Sequence, residues 1–152
     1  MGKITYSIEI DGAVEDVFEY MTEPEQIQRW VGGLVEMEAL TNGGSQVGAK
    51  SRQVFLEHGR RIEVMEEVLV FEPNRRVKIK AVTDGFWLTA EYVLEAVNGG
   101  TRIDYEAETH LESWLMKLMG PLVHRSSRQK VVEDFGRLKG LVEGKVMTSA
   151  AE

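Results

Sequence analysis

Five turn signals, set about one strand apart, constrain the middle of this 152-residue chain more than any other feature: Asn42-Gly43-Gly44, His58-Gly59, Pro73-Asn74, Asp84-Gly85 and Asn98-Gly99-Gly100. Between and beside them Leu34 to Leu40, Ala49 to Glu57, Arg61 to Phe71, Arg76 to Thr83, Phe86 to Ala96 and Thr101 to Thr109 read as six strands. Connections this short leave no room for a crossover, so the strands form an antiparallel meander of hairpins. Upstream, Ile4, Tyr6, Ile8 and Ile10 alternate with polar residues and mark a first strand.

The segments flanking the meander are helical. Val14, Val17, Phe18 and Met21 recur at helical spacing over Ala13 to Met21, with Glu15 and Asp16 in the first turn. Thr22 is placed to cap a second short helix, with Pro24 near its first turn, Gln26 as the capping-box partner, and Gly32-Gly33 as its stop. After the meander, Val131, Phe135, Leu138 and Val142 lay an apolar stripe along a long helix between Gly120-Pro121 and Gly144. Leu111 to Met119 reads as a separate turn or short helix, because Pro121 breaks a helix interior. Residues 146–152 read as a frayed tail. A sheet with one apolar face must cover it, and only the terminal helix is long enough. The expectation is one α+β domain over residues 1–152. It is a seven-stranded curved antiparallel sheet, with two short helices after strand 1, wrapped around a long C-terminal helix.

Composition narrows the partners. With 18 Lys and Arg against 25 Asp and Glu, the net charge of −7 opposes a phosphate backbone, so no nucleic acid is expected. Two basic runs, Arg75, Arg76, Lys78, Lys80 and Arg125, Arg128, Lys130, are either a small positive patch or solvated faces. The absence of cysteine excludes disulfides, thiol nucleophiles and thiolate metal sites. It fits a reducing cytoplasm. No stretch approaches the ~20 apolar residues of a membrane span, so a soluble, cytoplasmic protein without integral membrane contact is expected, as monomer or homodimer.

Several stretches resemble the START-like (SRPBCC) superfamily, which includes polyketide cyclases and dehydrases, plant pathogenesis-related proteins and lipid-transfer domains. They are Ala13-Val14-Glu15-Asp16-Val17-Phe18, Trp30, the run from Glu67 to Val77, Tyr92-Val93-Leu94-Glu95, Gly99-Gly100-Thr101-Arg102-Ile103 and Leu138-Lys139-Gly140-Leu141-Val142-Glu143. The resemblance spans about Lys3 to Glu143. It implies a helix-grip fold whose sheet and long helix enclose a cavity. These stretches are scaffold features and name no reaction.

Phe86, Leu88, Ala90, Tyr92 and Leu94 share one strand face, expected to point inward and to line either a ligand cavity or a packed core. Ile103, Tyr105 and Ala107 repeat this large-to-small pattern on the next strand. Glu66 is flanked on its face by Ile62, Val64, Val68 and Val70, where desolvation raises a carboxyl pKa and suits it to general acid or base work. An outward bulge or an ion pair with Arg52 or Arg128 is the alternative. His124 and Arg128 lie two turns and one turn before Val131, as a proton shuttle and an anion clamp, or else as a solvated helix start. Trp30 and Trp114 sit at element ends, at a cavity mouth or in ordinary packing; Trp87 belongs to the opposite sheet face. The histidines His58, His110 and His124 have no metal-binding spacing, so no metal or cofactor is expected.

Two functions from different classes follow. One is binding or carriage of an apolar small molecule, lined by Arg128, Phe86, Leu88, Ala90, Tyr92, Trp30, Trp114, Val131 and Phe135. The other is a polyketide cyclase or dehydratase with Glu66, His124 or Tyr105 in proton transfer. A weaker third is a chaperone-associated module. Whether the chain catalyses at all is left open by its residues. Gathering Glu66, Tyr105 and His124 around one void favours the enzyme, and dispersing them favours the binder.

Overall fold

The computed structural model describes residues 2–151, with side chains through residue 144. The element order is β1 (Gly2–Ile10), α1 (Val14–Thr22), α2 (Pro24–Trp30), β2 (Leu34–Ala39), β3 (Lys50–Glu57), β4 (Arg60–Glu72), β5 (Arg76–Thr83), β6 (Phe86–Val97), β7 (Gly100–Leu111), α3 (Trp114–Leu118) and α4 (Gly120–Ala151). The strands form one antiparallel sheet in the order β1-β7-β6-β5-β4-β3-β2. The expected α+β helix-grip architecture is present, with both short helices between the two edge strands.

Turn chemistry sets the register. His58-Gly59 and Asn98-Gly99 each hold two successive positive φ angles, the geometry of a two-residue hairpin turn whose twist matches its strands. Pairing therefore continues to the turn itself, Glu57 opposite Arg60 and Val97 opposite Gly100. This is why β4 and β7 run beyond the bounds of their apolar alternation.

Two local expectations are corrected. Thr22 does not cap α2: its hydroxyl donates to the Phe18 carbonyl at 2.8 Å, ending α1, and Glu23 occupies the cap without a side-chain bond. Strand β4 carries a bulge between Val68 and Val70, so Val70 pairs with Lys78 and leaves the inner face. Phe71 takes the inner position instead, opposite Val77 and edge-on to Phe18 at 5.4 Å. The backbone of α4 is helical to Ala151.

The helix is gripped from both sheet edges. Along β1, Arg128 donates to the Thr5 carbonyl at 3.0 Å and Lys139 to the Glu9 carbonyl at 2.8 Å, while Glu143 accepts from the Asp11 amide at 3.0 Å. These side chains occupy backbone groups that an open edge would otherwise present to other chains. On the opposite flank Asp134 accepts from the Gly32 amide at 3.0 Å and pairs with Lys130 at 2.6 Å and with Arg137, whose Nε donates to the Trp30 carbonyl at 3.0 Å. Phe135, only 2% exposed, is the hub of the core between these flanks.

Candidate functional site

The inner face of the sheet divides into a packed end and an open end. At the packed end Phe135 is surrounded by Tyr6, Trp30, Tyr92 and Tyr105, with ring centroids 5.9, 5.8, 6.1 and 5.5 Å away. Trp30 is buried and donates its indole N–H to the Tyr20 carbonyl at 2.8 Å. Aromatic rings fill this space as core. Toward the N-terminal half of α4, inner-face residues Ile62, Val64, Val68, Ala81, Phe86 and Leu88 are half-exposed. Two surface depressions, about 100 and 380 Å³, lie on the outer face of β5–β7 and beside α2. The candidate site is this apolar floor of half-exposed inner-face residues.

One polar cluster is set in that floor. Glu66 lies opposite Ser51 and Ala81 in the strand register. Burial lifts its carboxyl above the ordinary carboxylate range, and a hydrogen bond from Gln53 partly offsets this. Gln53 is itself buried and donates to the Ser51 hydroxyl at 3.2 Å. The Tyr92 phenol is pushed well above its usual range, chiefly by burial and then by the charges of Tyr105, Glu66 and Asp134. Burial, with a contribution from Asp134, pushes the Tyr105 phenol up to about 12. Both phenols therefore stay protonated at neutral pH and can act as hydrogen-bond donors.

The anticipated residues separate into groups. Glu66, Phe86, Leu88, Ala90, Tyr92 and Tyr105 all lie on the inner face, with Ala90 buried between β5 and β7. Glu66 and Tyr105 nevertheless stand on β4 and β7, three strand spacings or ~14 Å apart across the sheet, and Tyr105 lies four residues along β7 from Thr109, the position level with Glu66. Val131 packs against the core beside Phe135. The placement expected for His124 and Arg128 is corrected: both are exposed, and the half-buried ridge before Val131 runs through Val123 and Ser127, one residue out of phase. A shift of one residue turns a helical side chain by about 100°. Arg128 instead binds the β1 edge and lies over the Tyr6 ring at 6.0 Å. Trp114 is 73% exposed on α3. Trp87 takes the outer face as expected, stacked on His110 at 3.9 Å beneath the Lys80 ammonium.

Gln53, Ser51 and Asp134 were missed by sequence reasoning. Strand β3 carries buried or half-buried apolar residues at both Val54 and Phe55, so alternation did not assign Gln53 to a face. Asp134 stands next to Phe135 and reads as the solvated shoulder of the stripe. Its partner in the Gly32 turn is 102 residues away and has no local signal. Among the described residues no group of His, Asp or Glu is arranged to hold a metal, and no helix is long and apolar enough to cross a membrane.

A family model described as polyketide cyclase / dehydrase and lipid transport matches residues 1–143. No curated protein is matched by the sequence. Among solved structures, TTHA0849 from Thermus thermophilus superposes with a TM-score of 0.79 at 17% identity, covering 95% of this chain and 99% of the other. Protein CV1439 from Chromobacterium violaceum gives 0.76 at 18% identity over 94% and 99%. Ara h 8.0201 gives 0.77 at 15% identity over 94% and 98%. At such identities the likeness establishes the fold and carries no further.

Proposed function

The chain belongs to the polyketide cyclase / dehydrase and lipid transport family, and from that premise we propose that it binds an apolar small molecule on the open floor of its sheet. The carrying observation is the half-exposed set Ile62, Val64, Val68, Ala81, Phe86 and Leu88 gathered around one carboxyl, Glu66. An apolar surface with one placed polar group is how small-molecule sites combine affinity with orientation. The ligand is a long or flat hydrocarbon body with a hydroxyl or carbonyl that meets Glu66, Gln53 or Ser51. Trp30 and Phe135 form the packed wall behind it. Arg128, His124 and Trp114 stand outside this seat.

The dispersal of Glu66, Tyr105 and His124 supports a binder over an enzyme. A cyclase or dehydratase remains the second reading, because a carboxyl raised by desolvation suits proton transfer. The test is uptake of the neutral fluorophore N-phenyl-1-naphthylamine and its displacement by decanol. The parent protein is expected to bind both. Leu88→Arg, which sets a charge on the floor at a half-exposed position, is expected to weaken uptake at least tenfold while keeping the parent circular-dichroism spectrum. Absence of uptake by the parent, or equal uptake by a folded Leu88→Arg, would overturn the proposal. Turnover separates the two readings: an enzyme converts a polyketide-like substrate and loses that turnover in Glu66→Gln with its affinity for the neutral probe intact, whereas a binder shows no turnover in either protein.

A further inference from the structure

The chain segregates its charge. From Ser113 to Val132 there are four Lys or Arg residues, Lys117, Arg125, Arg128 and Lys130, and no Asp or Glu. The other 14 Lys and Arg share the remaining chain with all 25 Asp and Glu. The same segment, α3 and the start of α4, carries exposed apolar side chains: Trp114 at 73%, Leu118 at 69% and Leu122 at 62%, with Leu115 and Met119 beside them. Nothing in α3 is buried. Helical spacing sets the cations among the apolar residues, since Trp114, Lys117 and Leu118 fall at i, i+3 and i+4, and Leu122 and Arg125 at i and i+3. Arg128 remains exposed while it donates to Thr5.

We propose that α3 and the first turns of α4 dock this protein on the surface of a bilayer containing anionic lipid. Trp and Leu enter the headgroup boundary there, and Lys117, Arg125 and Arg128 meet the lipid charge. A small raised apolar patch ringed by cations is the composition of an interfacial anchor, in which buried apolar area and electrostatic attraction add. A second copy is a poorer occupant. A two-fold interface apposes the same patch on both chains and would bring these cations against one another in a segment that carries no acidic residue of its own. Docking here also brings the apolar floor near the membrane, because the chain entering α3 is tied to the β5–β6 turn, the Glu112 amide donating to the Gly85 carbonyl at 3.0 Å.

The experiment is co-sedimentation of the full chain with vesicles of phosphatidylcholine alone and of phosphatidylcholine with phosphatidylglycerol. The expected result is at least about tenfold stronger partition onto the anionic vesicles, weakening as salt rises. A blue shift of tryptophan emission is expected on binding and should be lost in Trp114→Phe, since Trp30 is buried and Trp87 is stacked on the opposite face. Leu118→Ser with Leu122→Ser, both at exposed sites, should reduce partition about tenfold or more without lowering the melting temperature. Equal partition onto both vesicle types, or partition unchanged by the serine pair, overturns the proposal. So does sedimentation as a dimer that the serine pair dissolves, which would make a second copy the occupant.

Discussion

Glu66 is the residue at which structure and stability pull apart. Its carboxyl is raised by desolvation, so the folded state holds this proton more tightly than the unfolded chain does. The sign follows: below the unfolded carboxyl pKa, ~4.3, the group is neutral in both states and costs nothing. As pH rises through the unfolded and then the folded pKa, the folded state loses stability relative to a chain without the charge. Glu66→Gln is therefore expected to raise the melting temperature near neutral pH, with the gain fading below about pH 4. Thermal melts of both proteins from pH 3.5 to 7.5 check this, and a gain independent of pH would mean Glu66 is not desolvated. Phe135 gives the opposite case. Each of its four ring neighbours loses a partner on truncation, and Phe135→Ala is expected to cost about 3–5 kcal/mol in urea unfolding. A cost below 1 kcal/mol would contradict its place as hub.

At the scale of elements, α4 is fixed by groups that the sequence presents very unevenly. The stripe Val131, Phe135, Leu138 and Val142 was legible because four-, three- and four-residue spacing has only one helical meaning, and three of the four are almost wholly buried. Its extension backward failed. Over the first turns of α4 the inner ridge carries a lone valine, Val123, followed by the polar Ser127, too little to set the phase, so His124 and Arg128 were placed one position off Val123 and Ser127. The turns were legible too, since Asn98-Gly99 and His58-Gly59 admit the left-handed backbone a tight hairpin needs. The bulge in β4 was not, because Val68, Leu69, Val70 and Phe71 suit either face equally. Nor was the flank built on Asp134, which joins elements far apart in the chain. Asp134→Ala removes one acceptor from the Gly32 amide and two cations at once. Lys130 and Arg137 are partly solvated and can turn to water, so the expected loss is about 1–3 kcal/mol rather than that of a fully buried pair. A loss within 0.5 kcal/mol, the range of an ordinary surface change, would show that the β1 flank alone holds the helix.

Across the whole molecule, the sheet wraps its helix tightly at one end and leaves its floor accessible at the other, and the polar cluster lies on the open side. That arrangement predicts how binding responds to pH and to the chemistry of the ligand's head. A neutral head such as the hydroxyl of decanol meets Glu66 in either protonation state. A carboxylate such as decanoate meets the ionised Glu66 as a like charge, on a floor where the pair is poorly screened. Lowering the pH through the raised Glu66 pKa removes that repulsion. Decanoate is therefore expected to bind more tightly as pH falls through the raised Glu66 pKa, while decanol changes little. Saturation at 100 times the dissociation constant stabilises the fold by about 2.7 kcal/mol. In a domain of this size that is a rise of roughly 5–10 °C in melting temperature. In Glu66→Gln the decanoate affinity should become flat over this pH range and approach its low-pH value in the parent. Isothermal titration of both ligands into both proteins is the measurement. If decanoate shows the same pH dependence with and without the Glu66 carboxyl, the ligand head does not meet Glu66, and the polar end of the site must be sought elsewhere on the inner face.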